Sequence, residues 1–360
     1  MKKIFIISNS LLTGGAEKQS IILAYALKYD FKTSLLVYYG DQVDDCLISL
    51  AGRFEVEVIL LKGSHLSKIL NIYKLFKSEK PIALISFLLT SNFITAIIGT
   101  ICGVKNKIGG VSSDRVEGWK LVVEKILHRY FLSKSVFNNY SGYKTLISKG
   151  FIREKCHVIY NGIEIMLSEF PKNRTENDVF NILTVSRFVL EKDYDTLLGS
   201  IWAVIQQLNH ELIQKKIFLT IVGYGELEQY VRLKITELEL DEYVELVIKP
   251  KNVNYYFEKA HLYLSTSIQE GTSNSILEAM SFRLPVVATM IGDNDKIIIH
   301  GKNGFLCKVK DVGEISKFIL KLVDEIGLAK QMGIHGFFIL KRDYSINNLK
   351  LKFSSIIDIT

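Results

Sequence analysis

Proline is scarce, with 4 residues in 360, and no run is of low complexity, so the composition gives no support to a long disordered linker. The 4 cysteines, Cys46, Cys102, Cys156 and Cys307, show no C-x-x-C spacing and the 7 histidines are scattered, which argues against a disulfide framework and a sequence-encoded zinc site. Long hydrophobic runs are nearly missing as well. The uncharged stretch Pro81 to Val104 could span a bilayer by length, but Ser86, Thr90, Ser91, Asn92 and Thr95 interrupt it. It reads instead as a buried strand, a polar turn after Leu89 and a helix from Asn92 to Cys102. Met1 to Ser8 starts with charge like a signal peptide, yet its apolar core is too short and Gly14-Gly15-Ala16-Glu17 follows, so the expectation is a cytoplasmic protein. No helix-turn-helix, RNA-recognition or zinc-knuckle pattern accompanies the net charge of +7. That excess of cations therefore points away from nucleic acid and toward nucleotide diphosphates, a pyrophosphate-linked lipid or a membrane surface.

What the chain does have is 48% apolar residues, arranged as strands alternating with helices. This predicts an α/β protein with parallel sheets covered on both faces, and the length suffices for two cores. A plan of strand, loop and helix begins near Lys3 and begins again near Asn181.

Three loops in that plan carry candidate chemistry. The richest is Glu270-Gly271-Thr272-Ser273-Asn274-Ser275-Ile276-Leu277-Glu278, set between a strand over 261–266 and a helix from Ile276 to Phe282. The N–H groups opening a helix lack intrahelical partners and suit phosphate or hydroxyl oxygens, and the two carboxylates can hold vicinal sugar hydroxyls. A plainer reading makes Ser275 and Glu278 a capping box. In Leu11-Leu12-Thr13-Gly14-Gly15-Ala16 the paired glycines allow close approach to a phosphate, or simply a tight turn. Arg187 and Lys192, on the loop after the second starting strand, can neutralise a departing diphosphate, or stand as solvated charges.

The spacing Glu270 to Glu278, followed by Leu284-Pro285-Val286-Val287-Ala288-Thr289, resembles the E-x7-E signature of family 4 GT-B glycosyltransferases. Val158 to Ile163, Val222 to Leu227 and Gly301 to Leu306 match further family segments in the right order. The resemblance implies the GT-B fold: two Rossmann-like domains with parallel sheets facing a central cleft. The first would cover 1–165, joined by a C-terminal helix at about 344–360, and the second, the donor domain, 178–340. It implies that Glu270 contacts the donor hexose and Glu278 the ribose, with Arg187 and Lys192 on the diphosphate and Gly14 and Gly15 beside it. Gly223, Gly225, Gly271, Thr272, Ser273, Asn274 and Ser275 complete the donor site. The implied reaction moves a hexose from a UDP- or GDP-sugar to an acceptor hydroxyl, with retention and with no metal or other cofactor. The implied acceptor is a lipid-linked glycan for surface polysaccharide, reached by peripheral contact with the inner face of the plasma membrane.

The chain also departs from that pattern. Gly109 to Trp119 has no histidine where many members place one, so Ser112, Asp114 and Arg115 become the candidates for the acceptor side. After Gly292 the run is Asp293-Asn294-Asp295-Lys296, and Val244 to Ile248 ends without the usual glycine, leaving the base open. Asp193-Tyr194-Asp195 and Asp293-Asn294-Asp295 imitate a metal-binding D-x-D, but one opens a helix and the other follows a strand. A helix over Ser67 to Lys77, with Lys68, Lys74 and Lys77, reads as a sheet-covering element or as an interfacial one whose apolar patch Trp119 extends. Two rivals share the architecture or the site: a non-hydrolysing sugar-nucleotide epimerase and a non-catalytic sugar-nucleotide-binding subunit. A dinucleotide oxidoreductase fits less well, because Gly223-x-Gly225 lacks a third glycine and the next strand ends at Ile248-Lys249.

Overall fold

The computed structural model describes residues 1–12, 14–111, 116–165, 179–211 and 215–358. The chain divides into two compact units, Met1–Gly162 with Tyr344–Thr360, and Ile163–Asp343. In the first unit the order is β1 (Lys3–Ser8), α1 (Gly15–Leu27), β2 (Lys32–Val37), α2 (Asp45–Arg53), β3 (Val58–Leu60), α3 (His65–Glu79), β4 (Ala83–Phe87), α4 (Leu89–Ile101), β5 (Asn106–Val111), α5 (Gly118–Ile126), β6 (Lys134–Phe137), α6 (Tyr140–Ser148) and β7 (Cys156–Val158). The second has β8 (Val179–Arg187), α7 (Tyr194–His210), β9 (Lys216–Tyr224), α8 (Glu228–Glu237), β10 (Val244–Ile248), α9 (Asn254–Lys259), β11 (Leu262–Ser265), α10 (Asn274–Ser281), β12 (Val286–Thr289), α11 (Asn294–Ile297), β13 (Gly304–Cys307), α12 (Val312–Asp324) and α13 (Ile326–Asp343). The last helix, α14 (Ile346–Ile356), belongs to the first unit.

Both sheets are parallel and doubly wound: seven strands in the order β3-β2-β1-β4-β5-β6-β7, and six in the order β10-β9-β8-β11-β12-β13. These are two Rossmann-like domains, the GT-B fold that the sequence leads one to expect. Ile4 to Ile7 are fully buried, as are Leu262 and Leu264, because central strands are covered on both faces and no position is left for a polar residue. Leu349, Phe353 and Ile356 of α14 pack into the same cluster as Ile4, Ile21 and Leu35.

Two sequence expectations need correction here. The helix expected from Asn92 begins at Leu89, because Leu88 takes a left-handed φ of 72° and turns the chain three residues earlier. Ser91, Asn92 and Thr95 are consequently on the inner face of α4 and fully buried. Asn92 Nδ2 donates to the Gly110 carbonyl at 3.1 Å and to the Glu124 carboxylate at 3.0 and 3.2 Å, while its Oδ1 accepts from Ser86 Oγ at 2.8 Å. Ser86 and Asn92, which look like interruptions in the apolar run, are bolts between sheet and helix. Among the described residues no helix is long and apolar enough to cross a membrane.

The lysine helix is also longer than expected, α3 running from His65 with Ser64 Oγ accepting from Ser67 N at 3.3 Å. Its inner face is Lys68, Ile72 and Phe76. Lys68 is only 5% exposed, its ammonium lying 5.3 and 5.4 Å from the Tyr38 and Tyr39 ring centroids. Two aromatic faces offset the loss of hydration, so this lysine packs inward and does not contribute to an interfacial charge stripe.

Glu124 on α5 is 3% exposed, and burial pushes its carboxyl up to about 7 despite the hydrogen bond from Asn92. A raised carboxyl favours folding when protonated, so its stabilising contribution declines as pH climbs from the ordinary carboxylate range through 7. Buried His128, held down to about 4, works in the opposite sense as pH falls, so only a difference measurement isolates Glu124. Glu124→Gln keeps the bond to Asn92 and removes the charge. It is expected to exceed the parent in stability by about 2–3 kcal/mol at pH 8 and to match it near pH 4.5. Chemical unfolding of both proteins at the two pH values checks this, and a pH-independent difference would contradict it.

Candidate functional site

In the second sheet the winding reverses between β8 and β11, and a doubly wound sheet receives ligands outside the carboxyl ends of such a pair. Those ends are Arg187 and Ser265. The loop after β8 is anchored by Phe188, fully buried, whose N donates to the Tyr224 carbonyl at 2.8 Å. It passes through a short 3-10 turn, Leu190–Lys192, and ends at Asp193, which has a φ of 50° and caps α7 through Thr196 N at 3.3 Å. Gly223 and Gly225 close the β9 side. A Cβ on Gly223 would overlap the Ser186 carbonyl, and one on Gly225 would meet the Phe188 carbonyl at a φ of 155°. These glycines let two strand-end loops pack against each other.

The loop after β11 is tied to the first one. Ile268 N donates to the Glu191 carbonyl at 2.8 Å, and Thr266 Oγ1 reaches the Lys192 and Asp193 carbonyls at 3.0 and 3.1 Å. Lys192 and Glu270 form an ion pair with side chains 17% and 16% exposed, and Ser267 Oγ donates to the same Glu270 oxygen at 3.3 Å. A third loop supports them from behind: Thr289 Oγ1 donates to the Ser267 carbonyl at 2.5 Å, and Asp293 N to the Gly271 carbonyl at 3.1 Å. Gly292 has a φ of 51°, and a Cβ there would overlap the Glu270 carbonyl oxygen. Thr266, Ser267 and Gly292 were not singled out by sequence reasoning. The signal available for the first two is the run Ser265-Thr266-Ser267, small and polar at the mouth of an apolar strand.

Helix α10 opens at Asn274, two residues before the expected start. Its N-cap is Ser273, with no side-chain capping bond, and Ser273 Oγ and Ser275 Oγ lie 3.2 Å apart. The capping box with Ser275 as cap is therefore not formed: Ser275 is already inside the first turn. Glu278 sits one turn into α10, half-buried, and Gly271 and Thr272 form the approach to the helix. Tyr263 is fully buried beneath this loop, donates to the Val185 carbonyl at 3.1 Å and has its phenol raised by burial. The second unit thus gathers Lys192, Glu270 and the N-terminus of α10 with Arg187 at the edge of the same switch point. Chemically, such an arrangement can accommodate an anion next to groups that accept from hydroxyls.

In the first unit Gly14 is the N-cap of α1 and Gly15 its first residue, and the Glu17 carboxylate folds back so that a Cβ on Gly14 would overlap it. Burial raises the Glu17 carboxyl. Gln19 binds Gly162 in both directions, its Nε2 donating to the carbonyl and its Oε1 accepting from N, each at 3.0 Å. Ala16, Gln19, Phe87, Gly110, Asn138 and Phe353 are among the residues around a hollow at the carboxyl ends of β4, β5 and β6. Ser112, Asp114 and Arg115 lie outside the described residues. The D-x-D runs have structural duties: Asp193 caps α7, Asp195 accepts from Tyr230 at 2.6 Å, and Asp295 pairs with Lys296 at 3.0 Å. Among the described residues no group of three or more histidine, cysteine or acidic side chains is placed to hold a metal ion.

Residues 167–336 match the family described as glycosyl transferases group 1. An uncharacterized glycosyltransferase of Haemophilus influenzae is 26% identical, covering 99% of this chain and 100% of its own. The Escherichia coli UDP-Gal:alpha-D-GlcNAc-diphosphoundecaprenol alpha-1,3-galactosyltransferase is 22% identical, over 79% of each chain. Among solved structures, Anabaena Alr3699/HepE in complex with UDP superposes with a TM-score of 0.82 at 19% identity, covering 99% of both chains. The same protein in complex with UDP-glucose superposes with a TM-score of 0.81. The structural likeness shows the fold, and the sequence matches support a glycosyltransferase.

The packing of the loops after β11 and β12 depends on Gly292. Gly292→Ala is expected to lower stability by on the order of 2 kcal/mol or more, because left-handed strain adds to the overlap with Glu270. Gly301→Ala is the control, since its φ of 78° carries the strain but nothing lies within 4 Å of the added carbon. Thermal unfolding of both variants checks the ordering, and equal losses would refute it.

Proposed function

We propose that this chain is a retaining glycosyltransferase that moves a hexose from a UDP- or GDP-sugar to a hydroxyl of a lipid-linked glycan, in surface polysaccharide synthesis. The observation that carries the reading is the join of three loops at the β8/β11 switch point, which sets two cations, two carboxylates and a helix N-terminus on one edge of one domain. The group 1 match over that domain supports it, as do relatives named for polysaccharide synthesis, including a Staphylococcus aureus capsular polysaccharide biosynthesis glycosyltransferase. That an E. coli relative acts on a diphosphoundecaprenol-linked sugar supports the acceptor class.

In this mechanism the bond between the anomeric carbon and the diphosphate oxygen breaks while the acceptor oxygen approaches the same face. The departing phosphate oxygen takes the acceptor proton, so retention needs no enzyme nucleophile. Charge on the diphosphate is greatest in the transition state, where Arg187, Lys192 and the N–H groups opening α10 stabilise it without a metal. Glu270 orients the hexose and Glu278 the ribose through hydroxyl hydrogen bonds. Gly14 and Gly15 serve the diphosphate from the first domain, and Ser112, Asp114 and Arg115 the acceptor.

Peripheral membrane contact belongs to the same reading, and the first domain offers a face for it. Helices α3, α4 and α5 pack side by side. They expose Leu66, Ile69, Leu70 and Tyr73, then Phe93 and Ile101, then Trp119, Val122 and Ile126, with Tyr130 just beyond. Lys74, Lys77, Lys120 and Lys125 are exposed on the same elements and Arg129 just past α5, whereas Glu124 is turned inward, Glu79 pairs with Lys32 at 3.8 Å and Glu117 is exposed at the N-cap of α5. A cationic rim around apolar side chains complements an anionic leaflet, gaining roughly 1 kcal/mol per cation, which suits reversible docking.

Nucleotide release from a panel of UDP- and GDP-sugars, with a lipid-linked acceptor extract and chelator present, tests the reaction. Arg187→Ala and Lys192→Ala are each expected to lower kcat by about 100-fold with smaller changes in donor affinity. Release restored only by magnesium or manganese would defeat the metal-free mechanism, donor isomerised without acceptor would indicate an epimerase, and binding without turnover a non-catalytic subunit. Cosedimentation with anionic vesicles is expected at low salt and lost at high salt, and Trp119→Ala with Lys120→Glu should abolish it. Equal, negligible sedimentation with anionic and neutral vesicles would point to a soluble acceptor.

A further inference from the structure

The pairing of Lys192 with Glu270 has a consequence for ligand choice that rests on the donor-site reading above. Both side chains are about five-sixths buried, Ser267 Oγ adds its bond to the same carboxylate oxygen, and Thr266 and Ile268 fix the backbone on either side. The pair is therefore held in place and differs from a mobile surface contact, and separating it leaves a charge poorly hydrated. The two residues expected to grip different parts of a donor are holding each other.

We propose that this ion pair discriminates against the bare nucleoside diphosphate and in favour of its sugar conjugate. The Lys192 ammonium has only donors and the Glu270 carboxylate only acceptors. A bare diphosphate also brings only acceptors, with negative charge. To reach Lys192 it must draw the ammonium from Glu270 or share it, leaving a half-desolvated carboxylate beside a second anion. The sugar conjugate brings the same diphosphate together with hydroxyl donors, which occupy the Glu270 oxygens that Lys192 gives up. The cost of opening the pair thus falls on the product and is offset for the substrate. Specificity arises from a penalty on the wrong ligand that the right one offsets with its own hydroxyl hydrogen bonds. Because the bare diphosphate is what remains after transfer, the same penalty hastens its departure.

Calorimetric titration with UDP, GDP, UDP-glucose and GDP-glucose tests this in the whole chain, comparing the parent with Glu270→Gln, Lys192→Met and the double variant. Thermal unfolding establishes that each is folded, and Glu270→Ala replaces the glutamine variant if that one is not. Glu270→Gln is expected to bind the preferred bare diphosphate about 10-fold more tightly, with a smaller change for its sugar conjugate, so the preference for the conjugate shrinks. In the Lys192→Met background the same substitution should have no such effect. Unchanged or weaker binding of the bare diphosphate by folded Glu270→Gln overturns the proposal, as does an equal gain for the conjugate or a gain that persists without Lys192. If no nucleotide binds the parent, the donor-site reading itself fails, an outcome distinct from nucleotide binding that ignores the pair.

Discussion

A parallel sheet wound outward in both directions from its middle leaves two adjacent strands whose following loops depart to opposite sides, and the gap between them is lined by strand ends. Everything assigned to the second domain hangs on that constraint. Between β8 and β11 the two departing loops are bridged by one backbone bond, from Ile268 N to the Glu191 carbonyl, and by the Thr266 hydroxyl. Polar groups at such an edge cannot all pair within the sheet ladder, so side chains of serine and threonine complete them. The outcome is an edge rigid enough to hold an ion pair and a helix N-terminus in register.

That rigidity is local and has a specific source. The third loop presses on the second only because Gly292 has no side chain, just as the β9 loop reaches the β8 loop only because Gly223 has none. Glycines at these positions read naturally as room for a ligand. Here much of the room is filled by protein backbone, so one residue type serves loop assembly first and ligand approach through it.

Legibility in the sequence follows from which interactions are periodic. Central strands such as Phe5 to Ile7 declare themselves by continuous apolar runs, and the doubly repeated plan of strand, loop and helix could be read from them. Arg187, Lys192, Glu270 and Glu278 were legible as candidates only through the resemblance to a family motif, since charge at strand and helix ends is in itself ordinary. The Lys192–Glu270 pairing was not, since the residues are 78 positions apart and nothing in either segment encodes the other. The inward turn of Lys68 was not legible, because lysine at a helical surface position is normally solvated and only the fold supplies Tyr38 and Tyr39 beneath it. Ser91 and Asn92 look like a break in the sequence because their partners, Asn9 for the first and Ser86 and Glu124 for the second, lie elsewhere in the chain. The alternative reading of Ser275 as a cap fails by two residues, because α10 opens at Asn274 with Ser273 as its N-cap.

The return of α14 to the first domain bears on how the protein is made. Translation delivers the strands of that domain first, then the whole of 163–343, and only afterwards Leu349, Phe353 and Ile356, which complete the cluster around Ile4 and Leu35. The second domain has all its core residues in one uninterrupted stretch, whereas the first keeps apolar surface uncovered until α14 is made. The domain whose strands come first in the chain is the last to have its core complete.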